Sequence, residues 1–373
     1  MKKTIYVLNQ RQGETCDAAG KAMRDVFAVL AQKGARVIWS VPKGCSRYLK
    51  ILDLPYLFMF LLLRVGKGDV VFYSIPENYL KIRLLKLVRG IKKYTMLCFI
   101  NDLNEFRYDG TPQGSGENPG NGKELSALMA ADKILVPNQN TAEMLRKAGV
   151  ASELIPVGIW DYLMTEEQSR ALAQAQEKAQ REKMARGAAP AGKPETADAP
   201  ATEQVRIAFA GNLNKSEFLS VMEVPAGISM ELWGRLDEEK EKTLPSGCHY
   251  HGVLSSDEVP LAVCAMDYGL VWDGAGRDGI KGGLGEYLRY NNSHKCALYL
   301  ASGIPVIVWS ESGMARFVSE HGCGLMIERL GELEEKIKNA DYKELKRRAL
   351  AAAPKLRAGY YLGKALDAAL NDQ

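Results

Sequence analysis

The sequence lacks the cysteine spacing on which structural zinc sites and disulfide frameworks depend. Its seven cysteines are odd in number and scattered along 373 residues, and no two of them form a C-x-x-C pair. Scattered cysteines of this kind favour neither a zinc knuckle nor a network of disulfides. We therefore expect a protein of a reducing compartment, which is most simply the cytoplasm.

Long apolar runs are missing as well. The longest, LPYLFMFLLL from Leu54 to Leu63, is too short to cross a bilayer, which takes about 20 residues. It predicts a buried helix instead. The first residues, MKKTIYVLNQ, lead into a strand pattern without the apolar core of an export signal. Neither secretion nor insertion into a membrane is expected.

Basic and acidic residues nearly balance in the chain as a whole. The net charge is +4, and hydrophobic and charged residues make up 46% and 25% of the chain, which is ordinary for a soluble globular protein. The exception is Lys81 to Lys93, with six basic residues and no acidic one. We favour a helix with an apolar core face and a solvated basic face. The alternative is peripheral contact with the inner face of an anionic membrane, whereas a nucleic-acid partner is not expected because no nucleic-acid motif accompanies the charge.

The length of the chain exceeds what one hydrophobic core usually serves, so two domains of about 150 residues each are expected. Strand-like and helix-like segments alternate from TIYVLN onward, and the order restarts after Gln204 with VRIAFAG. Such alternation predicts an α/β fold of two Rossmann-like domains facing a cleft. The predicted division is an N-terminal domain at 1–164, a helical and Ala/Pro-rich linker at 165–204, a C-terminal domain at 205–355, and a helix at 356–373 that closes back on the first domain.

Polar residues stand before an apolar helix in YNNSHKCALYLASGIPVIVW, from Tyr290 to Trp309. Ser293 is placed to cap this helix and Gly303 to end it. Lys295, in the first turn, adds a full charge to the amide groups and the positive dipole end, where anions bind. The pattern suits a phosphate group, and the alternative is a capped helix with a solvated lysine.

Further polar residues follow other strands of the second domain. AGNLNKSEFL predicts either a common turn or a second lysine, Lys215, that pairs with a diphosphate across from Lys295. Tyr250 is either a nucleobase contact or a core aromatic, and Asp273 precedes a glycine-rich loop. The candidates in AGNLNKSEFL are Gly211, Asn212, Asn214 and Lys215.

In the first domain, FINDLNEFRYDG places Asp102 just beyond a strand. A carboxylate there can accept the proton of an attacking hydroxyl as a general base, and the alternative is a helix cap. GETCDAAGKA follows the first strand but is neither G-x-G-x-x-G nor a Walker A loop, which argues against NAD and ATP. Its Gly13 and Thr15 either admit substrate to the backbone or form a plain turn.

Metal-binding patterns are absent from the sequence. It contains no H-E-x-x-H motif, EF-hand loop or zinc spacing, and all four histidines lie in its second half. We therefore expect a metal-independent reaction in which lysines and a helix N-terminus neutralise a leaving diphosphate.

Several of these segments occur in a familiar order. A strand, WDG, a glycine-rich loop, YLRYNNSHK, a helix, ASGIPVIVW and GMARFVSEHGCGL follow one another. This order resembles bacterial GT-B glycosyltransferases. It is most similar to the β-1,6-galactofuranosyltransferase family, which includes the streptococcal glucosyltransferases that extend N-acetylglucosamine on serine-rich adhesins. The resemblance spans both domains and is most specific from Gly211 to Leu325.

The resemblance implies a UDP-sugar donor on the second domain, with Lys295 on its diphosphate and the GNLNKS and YHG segments lining the nucleotide site. It also implies that the GETCD and NDLNEFR segments face the donor sugar and the acceptor. The wider retaining group usually carries a ribose-binding glutamate where this chain has Leu298, so we favour inversion. The residues added by the resemblance are Tyr290, Asn291, Asn292 and His294 at the nucleotide and Arg107 on the acceptor side.

These features predict a transferase that moves a hexose, glucose or galactofuranose, from a UDP-sugar to a hydroxyl of a glycan acceptor. Its product would belong to a cell-surface polysaccharide or glycoprotein, and a homo-oligomer is expected. Two alternatives stay open. A UDP-sugar 2-epimerase shares the architecture but needs no acceptor, and a non-catalytic scaffold subunit of a glycan-assembly complex keeps the fold without the chemistry.

Overall fold

The structure is a computed structural model that describes residues 3–8, 18–38, 52–104, 122–187, 204–280 and 283–371. The chain divides into two compact units. The first comprises Met1–Trp160, Arg289–Asn292 and Gly359–Gln373, and the second comprises Asp161–Leu288 and Ser293–Ala358.

The first unit contains a parallel sheet. Its strands are β1 (Ile5–Leu8), β2 (Arg36–Ile38), β3 (Val70–Ile75), β4 (Thr95–Ile100), β5 (Lys133–Val136) and β6 (Glu153–Pro156), in the order β2-β1-β3-β4-β5-β6. The helices between them are α1 (Ala18–Gln32), α2 (Asp53–Arg64), α3 (Tyr79–Lys92), α4 (Lys123–Leu128) and α5 (Gln139–Lys147). Every residue of β3 is buried, as expected for a central strand with both faces covered.

The second unit contains another parallel sheet. Its strands are β7 (Val205–Ala210), β8 (Ile228–Trp233), β9 (Cys248–Tyr250), β10 (Tyr268–Val271), β11 (Val306–Trp309) and β12 (Gly324–Ile327), in the order β12-β11-β10-β7-β8-β9. Its helices are α6 (Glu166–Gly187), α7 (Glu238–Glu241), α8 (Val259–Val263), α9 (Gly283–Glu286), α10 (His294–Ala301), α11 (Ala315–His321), α12 (Leu333–Lys338) and α13 (Tyr342–Arg357). The predicted α/β class and the predicted parallel sheets are confirmed.

Helix α6 takes part in the packing of the second unit. Leu172 is completely buried, and the Gln176 side-chain amide donates to the carbonyl oxygen of Ser302 at 2.8 Å. The sequence predicts a helix here only as part of a linker, and the burial of Leu172 is a contribution to the core that this prediction does not include. The Ala/Pro-rich residues 188–203 lie outside the described residues.

The last helix, α14 (Tyr360–Leu370), is part of the first unit. It packs against α1, β5 and β6, and its Leu366 is fully buried. Lys33 Nζ lies 2.6 Å from an oxygen of Asp367 and joins α1 to α14. The end of the chain thus completes the first unit by apolar packing and one exposed ion pair.

Helix α2 is less buried than its apolar sequence predicts. Leu57 and Leu61 face the core, whereas Met59 and Leu63 are exposed. The helical period places these pairs on opposite sides, so an apolar run of this length cannot bury every member against one sheet. Across the residues described, we find no helix that combines the length and the apolar character needed to span a bilayer.

Close packing of β10 against α10 generates a stability prediction. A Cβ atom built on Gly269 would lie 2.2 Å from the ring of Tyr299, and both residues are enclosed by the core. Gly269→Ala should therefore lower the free energy of unfolding by about 1–3 kcal/mol in chemical denaturation, because overpacking forces the ring or the strand to move. Gly90→Ala is the control, since that exposed position in α3 has open space around it and should gain about 0.5–1 kcal/mol. Equal stability of Gly269→Ala and the parent protein would contradict the packing.

Candidate active site

The order of the second sheet marks one crevice as the candidate site. Strand β7 lies between β8 and β10, so the chain leaves the middle of the sheet in opposite directions on the two sides. Open parallel sheets bind ligands beyond the carboxyl ends of their strands at such a switch point. Gly211 directly follows β7, and Asp273 stands two residues beyond β10. The structure therefore brings two residues predicted from separate segments to one edge.

Lys295 reaches this edge from the first turn of α10. Its Nζ lies 3.7 Å from Oδ2 of Asp273 and 5.1 Å from the ring centroid of the buried Phe209. The aromatic face and the carboxylate both attract the ammonium group. The lysine side chain is held close to the ends of β7 and β10, with part of it exposed.

Two glycines let the backbone at the end of β7 come close to its neighbours. A Cβ on Gly211 would lie 3.0 Å from Cε of Lys295, and a Cβ on Gly234 would lie 1.6 Å from the carbonyl oxygen of Gly211. Gly234 also has a φ of +134°, which side chains with a Cβ rarely adopt. The sequence analysis does not name Gly234 as a candidate. Its position directly after a strand, in LWG, is the sequence feature that could have indicated it.

Tyr299 fixes helix α10 to the end of β7. Its hydroxyl accepts a hydrogen bond from the backbone N–H of Ala210 at 2.8 Å. The pairing of β7 with β10 ends at Ala208. The Tyr299 hydroxyl therefore supplies the acceptor that β10 no longer offers to the Ala210 N–H. Burial raises the pKa of Tyr299 well above its usual value and keeps the hydroxyl neutral. Because Lys295 precedes Tyr299 by one helical turn, this bond also sets where the lysine lies.

Helix α10 begins as the sequence predicts, but without the predicted side-chain cap. Ser293 has the extended backbone of a capping residue, yet its hydroxyl makes no capping hydrogen bond. Its carbonyl oxygen instead accepts from the N–H of Cys296 at 3.0 Å. The backbone N–H groups of the first turn therefore receive no hydrogen bond partner from the Ser293 side chain. They can instead donate to an anion. Gly303 follows the helix with a φ of +72°.

The loop after β7 forms a turn that its own side chains stabilise. Asn214 exchanges two hydrogen bonds of 2.9 Å with the side chain and the backbone N–H of Asp237. Asn212 is exposed, and its carbonyl oxygen accepts from the N–H of Lys215 at 3.2 Å. Lys215 is exposed, and its ammonium group has no partner within the described part of the chain. Asn214 therefore has a structural task, whereas Lys215 is left able to meet a ligand.

Tyr250 supports the same edge of the sheet. Its hydroxyl donates to the carbonyl oxygen of Gly234 at 2.9 Å, and burial, followed by the nearby Glu241, raises the pKa of Tyr250. The hydroxyl thus holds the glycine that approaches Gly211. Contact of the Tyr250 ring with a nucleobase stays a prediction.

Beside it, the imidazole of His251 stacks on Trp233 at 4.8 Å and lies 2.5 Å from the Glu231 carboxylate. Burial of Glu231 favours its neutral form. The hydrogen bonds from His251 and Ser229, together with the charge of Arg206, outweigh that effect and lower the pKa of Glu231. The structure therefore places a charged carboxylate under the YHG segment, a feature that sequence analysis missed.

The residues Tyr290 to Asn292 pack with the first unit. The Asn292 side chain donates to the carbonyl oxygen of Pro137 at 2.7 Å and accepts from Asn138 at 2.9 Å. Asn138 donates also to the carbonyl oxygen of Tyr290 at 2.8 Å. The buried Asn292 is therefore committed to structure. The predicted nucleotide contacts of Tyr290, Asn291, Asn292 and His294 are untested by these bonds and stay predictions.

Asp102 lies where the sequence places it, just beyond β4 in the first unit. It is half-buried, and its backbone N–H donates to the carbonyl oxygen of Ile75 at 3.4 Å. Its role as a base stays a prediction. The predicted acceptor-side residues Gly13, Thr15 and Arg107 lie outside the described residues.

Comparison with known proteins finds matches along most of the chain. Family models described as "Glucosyltransferase 3-like, N-terminal domain" and "Glucosyltransferase 3-like, C-terminal domain" match residues 4–159 and 207–369. The β-1,6-galactofuranosyltransferase WbbI of Escherichia coli (strain K12) is 22% identical over 372 residues, which is 99% of each chain. Glucosyltransferase 3 of Streptococcus gordonii is 24% identical over 312 residues, covering 81% of this chain and 79% of that relative.

Solved structures match over nearly the whole chain as well. HepE of Anabaena in complex with UDP-glucose has a TM-score of 0.55 at 12% identity, with 99% of each chain covered. Sucrose-phosphate synthase of Thermosynechococcus elongatus has a TM-score of 0.55 at 14% identity, covering 99% of this chain and 98% of that one. At these identities, the likeness shows a shared fold.

The bond between Tyr299 and Ala210 can be tested by removing one hydroxyl. Tyr299→Phe should lower the free energy of unfolding by about 1–3 kcal/mol, because the buried Ala210 N–H is left unpaired. Tyr268→Phe is a matched control, since the Tyr268 hydroxyl is also buried but has no hydrogen-bond partner among the described residues. Chemical denaturation of both variants should show the loss only for Tyr299→Phe. A larger loss for Tyr268→Phe would contradict the role given to Tyr299.

Proposed function

We propose that this chain, which belongs to the glucosyltransferase 3-like family, moves a hexose from a UDP-sugar to a hydroxyl of a glycan acceptor. Family models cover both of its units, and its fold is the GT-B fold of glycosyltransferases such as HepE and sucrose-phosphate synthase. The predicted family and the predicted enzyme class, a UDP-sugar-dependent hexosyltransferase, are confirmed.

The observation that carries the proposed site is the position of Lys295 at the switch point of the second sheet. Lys295 belongs to the N-terminal turn of α10, and a Cβ atom built on Gly211 would lie 3.7 Å from its Nζ. The diphosphate of a UDP-sugar gains negative charge as the bond to the sugar breaks. A fixed ammonium group and a helix N-terminus stabilise that charge most strongly in the transition state, which is the requirement for catalysis. We assign Lys295 to the departing UDP.

Asp273 complements this assignment. Its carboxylate is 3.7 Å from Lys295 Nζ, a separation at which it orients the ammonium group without forming a tight pair. Its other oxygen accepts the N–H of Gly274 at 3.0 Å, which holds the carboxylate in place. A carboxylate beside the diphosphate is suited to accept hydrogen bonds from sugar hydroxyls. Asp273 therefore has the proposed role of binding the donor sugar while positioning Lys295.

For the chemical step we propose inversion by direct displacement. Asp102 takes the proton of the acceptor hydroxyl, the acceptor oxygen bonds to the anomeric carbon, and UDP leaves with the electrons of the broken bond. The half-buried place of Asp102 at the end of β4 supports this role. Lys215, exposed in the loop after β7, is proposed as a second cation for the diphosphate.

The relatives suggest which donor to test. WbbI is named for galactofuranosyl transfer and the streptococcal protein for glucosyl transfer, so the proposed donors are UDP-galactofuranose and UDP-glucose. The proposed setting is the synthesis of a cell-surface polysaccharide or glycoprotein at the cytoplasmic side, by a homo-oligomer.

Replacement of Lys295 tests the assignment directly. Lys295→Ala should reduce kcat by about 10²–10³, the range seen when one donor to a developing negative charge is removed. Lys295→Arg should retain more activity because it keeps the charge. UDP release is measured for each donor with and without glycan acceptors. The control is Lys336→Ala, an exposed lysine on α12 of the same unit. Unchanged turnover by Lys295→Ala would exclude this role.

The proposed absence of a catalytic metal has its own test. If Lys295 and the turn of α10 neutralise the diphosphate, the initial rate should be the same in EDTA and in added magnesium or manganese. Calorimetry with UDP under both conditions should likewise show equal affinity. Loss of activity in EDTA that returns with a divalent ion would overturn the proposal and leave the fold assignment intact.

A further inference from the structure

Helix α3 carries two apolar faces. Ile82, Leu85 and Val88 are buried against the first unit. A second set, Leu80, Leu84, Leu87 and Ile91, recurs at helical spacing on the outer side, where Leu87 is 65% and Ile91 68% exposed. The sequence predicts a helix with an apolar core face and a solvated basic face, with membrane contact as the alternative. The apolar core face is present, but the four outer residues, against three buried ones, were not part of that prediction.

Helix α2 repeats this arrangement. It packs beside α3, and its outer side exposes apolar residues at the same spacing, with Leu63 at 72%. Leu57 and Leu61 point the opposite way into the core. We call the combined surface the apolar double stripe. Its members are Leu52, which directly precedes α2, Tyr56, Met59 and Leu63 from α2, and Leu80, Leu84, Leu87 and Ile91 from α3.

The basic residues of α3 divide into two sets. Lys81 pairs with Asp53 at 2.8 Å, Arg89 pairs with Asp132, and Lys92 donates to the carbonyl oxygen of Leu62 at 2.8 Å. These three are used within the unit.

Arg83, Lys86 and Lys93 are exposed beside the stripe and form no ion pair with any described carboxylate. The only acidic residue on α2 or α3 is Asp53, which is already paired. The surface therefore combines exposed apolar side chains with unneutralised positive charge.

We propose that the apolar double stripe, with Arg83, Lys86 and Lys93, docks on the surface of an anionic lipid bilayer. Large exposed apolar patches on a soluble fold mark binding surfaces. A basic helix with an apolar outer face lies in the membrane interface, where the side chains enter the acyl boundary and the cations meet anionic headgroups. This surface goes beyond the proposed reaction and does not rest on it.

Charge also favours a bilayer over a second copy of the chain. A two-fold interface places the same patch of each copy against the other, so it would gather the exposed cations of both copies in one interface where α2 and α3 offer no unpaired carboxylate. Like charges facing each other across a dry interface oppose association. An anionic bilayer instead satisfies the apolar and the basic parts of the surface at once.

Vesicle co-sedimentation of the full chain tests the proposal. The protein should bind vesicles of phosphatidylcholine with phosphatidylglycerol, and bind weakly to phosphatidylcholine alone or at high salt. Arg83→Gln with Lys86→Gln should weaken partitioning about 30-fold, since each basic side chain contributes near an anionic surface. Leu87→Ser with Ile91→Ser should weaken it by a similar factor or more.

Matched controls come from the second unit. Lys336→Gln with Lys338→Gln removes the same charge, and Met184→Ser with Val253→Ser removes side chains that are 63% and 62% exposed. Both should bind as the parent does, and all variants should keep the parent's thermal unfolding. Equal binding by parent and α3 variants would overturn the proposal, as would failure of the parent to bind. A dimer in solution that Leu87→Ser with Ile91→Ser converts to monomer would assign the surface to a second copy instead.

Discussion

The hydrogen bond from the Ala210 N–H to the Tyr299 hydroxyl ties the second unit's central strand to helix α10, and the proposed site depends on it. Tyr299 can reach Ala210 because its ring packs directly on Gly269, where no side chain intervenes. A buried amide at the point where strand pairing ends needs another partner. Once the tyrosine supplies it, Lys295 is held one turn earlier on the same helix, over the end of β7.

The electrostatics of this edge follow from the same placement. Lys295 lies between an aromatic ring and a carboxylate that is close enough to orient it, and the dipole of α10 adds positive potential at the same point. Gly211 and Gly234 have no side chains, so a ligand can approach the backbone at the strand ends. In the proposed reaction, a charged leaving group meets preorganised positive charge at this edge, which costs little reorganisation.

The first unit distributes its charge differently. On α3, ion pairs and a backbone carbonyl occupy three of the basic side chains, so a count of charges in the sequence overstates what the surface offers. The exposed apolar residues on the outer sides of α2 and α3 add surface for hydrophobic binding, whereas only the remaining basic side chains are available for electrostatic binding. The proposed docking by this face therefore combines a hydrophobic contribution with a smaller electrostatic one.

Local sequence patterns were sufficient to predict the alternation of strands and helices, the two parallel sheets, and the start of α10 with Lys295 in its first turn. These features depend on local periodicity and on turn residues such as Gly303, which act over a few positions. Four features emerge only in the folded chain: Gly234 lies against Gly211, Tyr299 bonds Ala210, Asn292 bonds Asn138 and Pro137, and one side of α2 and α3 stays exposed. Each of those contacts joins residues far apart in the chain, or depends on which of two apolar helix faces meets the sheet, and no local pattern contains that information.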